Sequence, residues 1–421
     1  MKLPVLDVSV VIPTHNRASN LPRTLDALNQ QNFCLGNMEV IVVADGCKDN
    51  TLSVLETYKA DFSLTVVEKP GLGAATARNS GAQKARGSLL IFLDDDIEVS
   101  PGFVLAHVTA HQKKSTGKDR VVIGYLPAIT QHQTDFFQIG LRCWWESKFQ
   151  SMQRTSHRFT YQDLLSGNFS ISAELFKQMG GFNTEFLCKE DYEFGLRLIN
   201  LGVDFQFSAD AWGYHHEVTD FKRSLKRKFN EGVADIQLAQ IHPEIKDALL
   251  VTQLESRYTW FDRLVLWFIF YGSAIGDLCV MALCYVLKFL EWYHLRDSWQ
   301  FLYRKIHIYW YMCGAASQFS SHDALTKFLD SQTFTTSVGN SKIALNLESG
   351  LDTVEGVLER ERPLSALLYY GEHYIGYIDP EPGAEALRAE HIRAILLAKF
   401  PWQLISIFST KRASQESTYM I

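Results

Sequence analysis

The chain has 421 residues and a formal net charge of −6, so two or three domains are expected and the strongly basic surface of a nucleic-acid-binding protein is excluded. Its seven cysteines are an odd number and form no C-x-x-C pair, which disfavours a zinc ribbon and favours a reducing compartment. No long apolar stretch precedes the first strand pattern, so we expect the N-terminal domain to lie in the cytoplasm.

Residues 8 to about 127 alternate short β-branched runs with stretches of helical periodicity, which is typical of βαβ units and a largely parallel sheet. Strands are predicted at Val8–Ile12, Val40–Val43, Leu64–Val67 and Leu89–Leu93, and helices at Leu21–Leu28 and Ala74–Ala85. This order predicts an α/β domain whose ligands bind beyond the carboxyl ends of the strands.

Three consecutive carboxylates, Asp94, Asp95 and Asp96, directly follow the apolar strand Leu89–Leu93. Like charges this close repel one another unless a cation or protonation compensates them. Oxygen ligands suit Mg²⁺ or Mn²⁺, which also bind phosphate oxygens. A solvated acidic loop is the alternative, and the position at the end of a buried strand disfavours it. The pattern therefore predicts a Mg²⁺ or Mn²⁺ site at this edge of the sheet.

Two motifs with familiar spacing are interpreted as structural. Gly71-Leu72-Gly73 lacks the third glycine of the dinucleotide fingerprint and follows the third strand instead of the first, which excludes a dehydrogenase of that type. His107 and His111 lie four residues apart on a predicted helix without the glutamate of H-E-x-x-H, so we expect them on a surface helix face.

Shorter elements follow between about residues 165 and 216. Glu190 and Asp191 open a predicted helix, where free N–H groups and the helix dipole stabilise carboxylates, so capping alone would explain them. His215 and His216 follow an aromatic, strand-like run, where histidine is more often a packed residue than a ligand.

The segment Leu264–Leu287 carries one charged residue, Asp277, in 24 residues and is long enough to span a bilayer if helical. A mid-span Asp costs about 2.5–3.5 kcal/mol, which the apolar neighbours can offset. A buried hairpin of core helices is the alternative, and both interpretations stay open. Five cations precede the segment and favour anionic lipid headgroups or a lipid-linked phosphate over a solvated helix face. They are Lys222, Arg223, Lys226, Arg227 and Lys228.

Residues beyond about 340 form a separate pattern. A hairpin-like stretch at Leu364–Ile378 is followed by helical periodicity from about Ala384 to Ala398. We expect a small α/β unit there.

Five ordered motifs are similar to those of family 2 glycosyltransferases, a family with the GT-A fold: Val11–Arg17, Val42–Gly46, Ala77–Gly81, Phe92–Asp96 and Glu190–Glu193. The resemblance covers residues 8 to about 220, roughly half of the chain. The resemblance implies that the pocket for the nucleotide base is lined by Pro13, Thr14, Arg17 and Asp45. It also implies that Arg78 lies near the ribose or diphosphate and that Asp96 binds the metal. Asp94 and Asp95 would serve the ribose and the metal shell.

The same resemblance implies that Asp191, beside Glu190, is the general base that takes the proton from the acceptor hydroxyl. Attack opposite the leaving diphosphate then inverts the anomeric centre. A histidine after the base helix often completes the metal or diphosphate site in the family, and His215 matches that position better than His216. Two departures are Ala44, where many members carry an aspartate, and Asn183, where Asp is common.

Together these patterns predict a GT-A catalytic domain at residues 1–220, a helical membrane-associated section at 221–325 and a small α/β unit at 326–421. The expected activity is inverting, metal-dependent transfer of a sugar from a nucleotide-diphosphate donor, with UDP as the expected nucleotide. The expected acceptor is a glycan or a lipid-linked molecule in polysaccharide or glycolipid synthesis, at the cytoplasmic face of a membrane.

Two alternatives stay open. One is a catalytically inactive membrane scaffold that binds a sugar nucleotide, against which the intact Asp94, Asp96 and Asp191 argue. The other is a sugar nucleotidyltransferase, which would carry a Gly-rich loop with Arg or Lys after the first strand, where this chain has Pro13–Arg17.

Overall fold

The computed structural model describes residues 7–112, 119–130, 135–217, 219–255, 269, 273–331 and 342–418. A nine-stranded sheet organises the N-terminal half. Its strands are β1 (Val8–Thr14), β2 (Met38–Asp45), β3 (Ser63–Lys69), β4 (Leu89–Leu93), β5 (Ile97–Val99), β6 (Arg120–Tyr125), β7 (Ala128–Thr130), β8 (Asn168–Ser172) and β9 (Asp204–Glu217).

This sheet is mixed, with the strand order β3-β2-β1-β4-β8-β6-β9-β5 and β7 paired with β9. Strands β1 to β4 pair in parallel, whereas β8 runs antiparallel to β4 and β6. β2 and β4 are buried along their whole length, which explains their continuous apolar sequence. Because β1, β2 and β4 are parallel, the loops that follow them meet at one edge of the sheet. The predicted α/β class and the four predicted strands are confirmed.

Helices cover the faces of this sheet. They are α1 (Leu21–Asn29), α2 (Thr51–Thr57), α3 (Ala74–Lys84), α4 (Phe103–Gln112), α5 (Phe136–Met152), α6 (Ala173–Gln178) and α7 (Glu190–Leu201). An aromatic cluster fixes α7: Phe92 on β4 stacks on Phe169 with ring centroids 4.9 Å apart, and Phe182 bridges Phe92 to Phe194 at 5.5 and 5.0 Å. The predicted start of the helix near Asp191 is therefore held against the strand that ends in the aspartates.

The prediction of a surface face for His107 and His111 is wrong. His107 is fully buried, and its two ring nitrogens lie 2.8 Å from Ser170 Oγ and 2.9 Å from Asn168 Oδ1. Burial lowers the pKa of His107 to about 3 and that of His111 to about 4, so both rings are neutral. The polar side chains of β8 satisfy these rings inside the domain, which the spacing of two histidines could not reveal.

In the described ranges, the helices that follow the sheet are α8 (Phe221–Ile241), α9 (Leu250–Glu255), α10 (Ser273–Trp292), α11 (Arg296–Ala316) and α12 (His322–Asp330). The second half of α8 is buried and contributes Ile236 and Leu238 to the same core as the large sheet. The start of α8 packs on α11, where Ser224 Oγ lies 3.2 Å from His307 Nε2. The helical section thus shares its packing with the sheet domain.

The predicted apolar segment Leu264–Leu287 is described only in part, since residues 264–268 and 270–272 lie outside the described ranges. Its second half belongs to α10, which packs on α11 through Val280, Leu287 and Ile306. The carboxylate of Asp277 accepts a hydrogen bond from the Tyr309 hydroxyl at 2.7 Å, so it is satisfied within this helix pair. In the described ranges no single helix is long and apolar enough to span a membrane. Two consecutive helical segments, Ala389–Lys399 and Pro401–Ser409, have the required length and apolar composition together, with a bend of 79° between them.

A small C-terminal unit has its own core, around Leu345, Leu368 and Ile392. It comprises β10 (Lys342–Asn346), α13 (Leu351–Glu361), β11 (Ser365–Tyr370), β12 (His373–Ile378), α14 (Ala389–Lys399) and α15 (Pro401–Thr418). The predicted hairpin is confirmed, because β11 and β12 pair in antiparallel fashion.

The predicted helix at Ala384 begins five residues later, at Ala389, because the preceding segment docks on the sheet domain instead. The backbone N–H of Glu385 donates to the Phe159 carbonyl, and the Glu385 carboxylate accepts the backbone N–H of Phe159. The backbone N–H of Tyr161 donates to the Gly383 carbonyl at 2.9 Å. Arg158 Nε donates to the Glu385 carbonyl at 2.7 Å. The C-terminal unit is therefore tied to the segment that leads into β8.

Candidate functional site

The three aspartates lie at the centre of the sheet edge, between β4 and β5. β4 pairs with β1 on one side and β8 on the other, so the aspartates face the ends of both. The backbone N–H of Asp94 donates to the Gly167 carbonyl at 3.1 Å, and a side chain at Gly167 would collide with the Asp94 carboxylate. The sheet thus fixes where each carboxylate points.

Arg78 links the first aspartate to the predicted base motif. Its guanidinium donates to Asp94 Oδ1 at 2.7 Å and to Glu190 Oε1 at 2.8 Å. Burial lowers the pKa of Arg78, but the charges of Asp94 and Glu190 outweigh it and raise the pKa above its usual value. Helix α3 thereby places a permanently charged guanidinium between the Phe92–Asp96 and Glu190–Glu193 motifs, which lie about a hundred residues apart in the chain.

Asp96 lies beside His215 and Arg17. Its Oδ1 is 3.5 Å from His215 Nε2, and its Oδ2 is 3.4 Å from an Arg17 nitrogen. Burial would raise the pKa of Asp96, but the hydrogen bond and charge of His215 together with the charge of Arg17 hold it below its usual range. Asp96 is therefore ionised, and the structure places the predicted His215 directly against it. His216 lies instead 2.8 Å from Glu98.

Asp95 is the buried member of the three. Burial, together with the charges of Asp96 and Asp94, raises the pKa of its carboxyl to about 7, although the charge of Arg17, whose Nε lies 3.3 Å away, opposes the increase. Its backbone carbonyl accepts a hydrogen bond from Thr24 on α1. The side chains of Asp95 and Asp96 both contact Arg17 and are each 10% exposed, whereas the Asp94 side chain is 36% exposed.

Asp45, predicted to contact the base, ends β2 and holds the glycine loop. Its carboxylate accepts backbone N–H bonds from Gly71 and Leu72 at 2.9 Å each and from Gly73 at 2.6 Å. Gly71 and Gly73 have φ of 95° and 94°, which favours glycine. A carboxylate offers about four acceptor positions, so one remains for a ligand.

The loop after β1 is hydrogen-bonded to the loop after β2. Pro13 and Thr14 pair with Val43 and Ala44 at the ends of these strands. The side-chain oxygen of Asn16, a residue with φ of 54°, accepts the N–H of Lys48 at 2.7 Å. The predicted base-pocket residues Pro13, Thr14 and Asp45 thus lie at the adjoining ends of β1 and β2, and Arg17 lies in the loop after β1.

The two carboxylates at the start of α7 have different surroundings. Glu190 is 8% exposed and is bound to Arg78, and burial together with the charge of Asp191 raises its pKa. Within the described residues, the Asp191 carboxylate accepts hydrogen bonds from the backbone N–H of Ser166 at 3.2 Å and from the backbone N–H of Tyr192 at 3.0 Å. Asp191 therefore keeps acceptor capacity for a substrate hydroxyl, whereas Glu190 anchors Arg78.

Residues 9–180 match the family described as Glycosyl transferase family 2. This segment is a family 2 glycosyltransferase domain. Arg78, the three aspartates and Asp45 lie inside the matched range, whereas Glu190, Asp191 and His215 follow it.

Curated relatives of the glycosyltransferase domain include validoxylamine A glucosyltransferase of Streptomyces hygroscopicus subsp. jinggangensis, 32% identical over 50% of this chain and 56% of the relative. Chondroitin synthase of Escherichia coli is 23% identical over 55% of this chain and 38% of the relative. The chain spans about half the length of the curated relatives it matches first.

Among solved structures, the mannosyltransferase PcManGT of Pyrobaculum calidifontis, in complex with GDP-Man and Mn²⁺, is similar with a TM-score of 0.45 and 17% identity over 74% of this chain and 88% of that chain. TarS of S. aureus, residues 1–349 in complex with UDP, has a TM-score of 0.42 and 17% identity over 74% of this chain and 91% of that chain.

Three residues that shape the candidate site were not identified from the sequence. Gly167 leaves space for Asp94, Ser166 donates to Asp191, and Asn16 joins two loops. Asn16 stands in the Val11–Arg17 motif and could have been identified by its tolerance of positive φ. Ser166 and Gly167 carry no signal of their own, because their role depends on how β8 approaches β4.

Proposed function

We propose that this chain transfers a sugar from a nucleoside diphosphate to an acceptor hydroxyl, with inversion and with Asp191 as the general base. The observation that supports this most is the bridge Asp94–Arg78–Glu190, because it joins the donor motif to the start of the base helix through bonds of 2.7 and 2.8 Å. Leaving-group stabilisation and proton removal would then occur at one site.

The proposed step is a single displacement. The acceptor oxygen forms a bond to the anomeric carbon while its proton passes to the Asp191 carboxylate, and the bond from that carbon to the diphosphate breaks with its electron pair on the diphosphate. The Arg78 cation would stabilise the charge that develops on the leaving oxygen. Glu190 would keep Arg78 oriented, since both are buried.

Asp96 and His215 are the residues that would hold Mg²⁺ or Mn²⁺. Within the described residues no three His, Cys, Asp or Glu side chains are grouped closely enough to hold a metal ion alone. An ionised carboxylate next to an imidazole is nevertheless a suitable partial ligand set, since such ions commonly take one or two carboxylates together with substrate phosphates. Asp94, also predicted as a ligand, is engaged by Arg78. When bound, the ion would neutralise the diphosphate.

The donor prediction is tested by calorimetric titration of UDP, GDP, dTDP and CDP into the protein, with and without Mn²⁺. We expect UDP to bind with Mn²⁺, and Asp96→Ala to weaken that binding by about tenfold or more, since one lost charge-assisted contact contributes ~1.5–3 kcal/mol. Glu98→Ala is the matched control, because it removes a nearby carboxylate that pairs with His216. Lack of binding by all four nucleotides would contradict the proposal.

We further propose that α10 lies on an anionic lipid surface, which would place a lipid-linked or membrane-bound glycan acceptor near the site. One face of α10 presents six large apolar side chains that are 55–80% exposed. They are Ile275, Leu278, Met281, Tyr285, Phe289 and Trp292, called here the apolar face of α10. Their helical spacing runs along nearly the whole helix, and the opposite face packs on α11.

Charge favours a lipid surface as the occupant of the apolar face of α10. Lys288, Arg296 and Arg304 are exposed on or next to α10, and the five cations at the start of α8 belong to the same packed helical section. Each cation contributes ~1 kcal/mol near an anionic surface, and each large apolar side chain that leaves water adds about 1.5–3 kcal/mol. An aromatic residue such as Trp292 suits the headgroup region.

Flotation with lipid vesicles checks this surface. We expect the protein to float with phosphatidylcholine–phosphatidylserine vesicles, less with phosphatidylcholine alone, and not at all as Leu278→Glu/Phe289→Glu. Leu201→Glu, at the exposed end of α7, is the matched control and should float as the wild type does. If the wild type stays unbound and self-associates through the same face in size-exclusion chromatography, the lipid assignment is wrong.

A further inference from the structure

The base helix α7 begins from a residue in an unfavourable backbone conformation. Lys189, immediately before Glu190 and Asp191, has φ of 62°, in the left-handed region that lysine rarely adopts. Such a conformation persists where the surrounding structure enforces it, and such residues cluster at active sites. The contacts of Lys189 therefore bear on where Asp191 points.

A buried carboxylate from the helical section holds Lys189 in place. Asp235 on α8 is 3% exposed, and its Oδ1 accepts a hydrogen bond from Lys189 Nζ at 2.5 Å. Its Oδ2 accepts a hydrogen bond from the Tyr311 hydroxyl on α11 at 2.6 Å. That hydroxyl in turn accepts the backbone N–H of Val251 at 3.1 Å. Both carboxylate oxygens thus have a donor, so the carboxylate cannot shift without losing one.

The crossing of α8 and α11 fixes this arrangement. Gly232, three residues before Asp235, lies so close to the Tyr311 carbonyl that a Cβ would collide with it. Gly314, three residues after Tyr311, lies equally close to the Phe229 carbonyl. Burial raises the pKa of Tyr311 well above its usual value, so its hydroxyl stays protonated and can donate. The two helices form a rigid support under the first turn of α7.

We propose that Asp235, supported by Tyr311, is a positioning residue for the transfer reaction. Asp235 holds Lys189, the left-handed backbone at Lys189 sets the direction of the first turn of α7, and that turn places Asp191 against the Ser166 N–H. This inference rests on the proposed role of Asp191 as the base. It makes the helical section beyond the family match part of the catalytic apparatus.

The test begins with Asp235→Asn. Asparagine has only one acceptor oxygen, so its NH2 group must face either the Lys189 ammonium or the Tyr311 hydroxyl, and it cannot accept a hydrogen bond from that partner. We expect kcat to fall about tenfold or more while the donor KM changes less than about twofold, because a misplaced base costs turnover and the nucleotide contacts lie on other elements. A wild-type kcat would overturn the proposal.

The matched control is Glu39→Gln. Glu39 is also a buried carboxylate with two side-chain partners, Ser9 at 2.7 Å and Arg86 at 2.8 Å, but it lies at the opposite end of β2 from Asp45. We expect a loss of thermal stability in both variants and a loss of kcat in Asp235→Asn alone. Equal losses of kcat in both would show a merely structural role.

A second substitution separates positioning from general destabilisation. Glycine adopts positive φ without strain, so Lys189→Gly should no longer depend on Asp235. We expect the double variant Lys189→Gly/Asp235→Asn to recover kcat to within about threefold of wild type, a non-additive result that reports coupling of the two residues. A double variant no more active than Asp235→Asn would overturn the proposal.

Hydrogen exchange of the backbone amides in the first turn of α7 provides a readout without any substrate. We expect Asp235→Asn to accelerate exchange at Tyr192 and Glu193, and Glu39→Gln to leave it unchanged. If the wild type transfers sugar from no donor, the proposed function fails while this exchange result still supports the positioning. Unchanged exchange in Asp235→Asn would contradict the positioning whatever the activity.

Discussion

Replacing Asp191 by Asn is expected to lower kcat by about 10²–10⁴-fold, which is the usual contribution of a general base. The amide keeps an oxygen that can accept the backbone N–H of Ser166, so the loop and the first turn of α7 should stay in place. It cannot take a proton from the acceptor. Nucleotide affinity, measured by calorimetry, should remain near wild type, because Asp45, Arg17 and Asp96 are untouched.

Glu190→Gln is the comparison that separates the two adjacent carboxylates. Glu190 is engaged by Arg78 at 2.8 Å, so its loss should weaken donor binding as well as turnover. Near-wild-type turnover in Asp191→Asn, together with a large kcat effect in Glu190→Gln, would show that the base is Glu190 and not Asp191. Steady-state kinetics with the donor identified by the nucleotide titration provides both values.

Replacing Arg78 by Met is expected to reduce the free energy of unfolding at pH 7 by about 3–5 kcal/mol, since it leaves the buried Glu190 without its cation. Burial and Asp191 already raise the pKa of Glu190, and removal of Arg78 raises it further. A carboxyl whose folded pKa exceeds its unfolded value stabilises the fold below the unfolded pKa, and this stabilisation is lost as the pH rises through the folded pKa. The deficit relative to wild type should therefore shrink between pH 7 and pH 5.

Urea unfolding at these two pH values measures the effect. The double variant Arg78→Met/Glu190→Gln removes the uncompensated charge and should regain a large part of the lost stability at pH 7. If the double variant is as unstable as Arg78→Met alone, the loss comes from packing around Phe182, which lies 5.9 Å from the guanidinium, and not from the buried charge.

The position of the three aspartates could be predicted from sequence because it depends on local order alone. Leu89–Leu93 is apolar at every position, which fixes a buried strand, and the charges that follow must lie at its end. The C-terminal hairpin was predictable for a similar reason. Its two strands are adjacent in the chain and pair with each other.

Features that depend on contacts between distant segments could not be predicted. The glycine loop at 71–73 was interpreted by its spacing, yet its N–H groups converge on Asp45, 26 residues earlier. His107 was assigned to the surface because its partners, Ser170 and Asn168, belong to a strand more than 60 residues away. Lys189 carries no sequence signal of a left-handed conformation, since a partner on α8 enforces it.

Strand β9 has contacts near both of its ends with separate parts of the molecule. Its first residue, Asp204, lies 3.3 Å from Arg362 of the C-terminal unit, and eleven residues later His215 lies against Asp96. The strand is irregular between these two residues, because its register with β6 shifts between Ser208, which lies opposite Gly124, and Trp212, which lies opposite Tyr125. One continuous strand therefore joins a contact of the C-terminal unit to the edge of the sheet where the three aspartates lie. Displacement of the C-terminal unit would act on the same strand that carries His215, one of the two residues proposed to hold the metal.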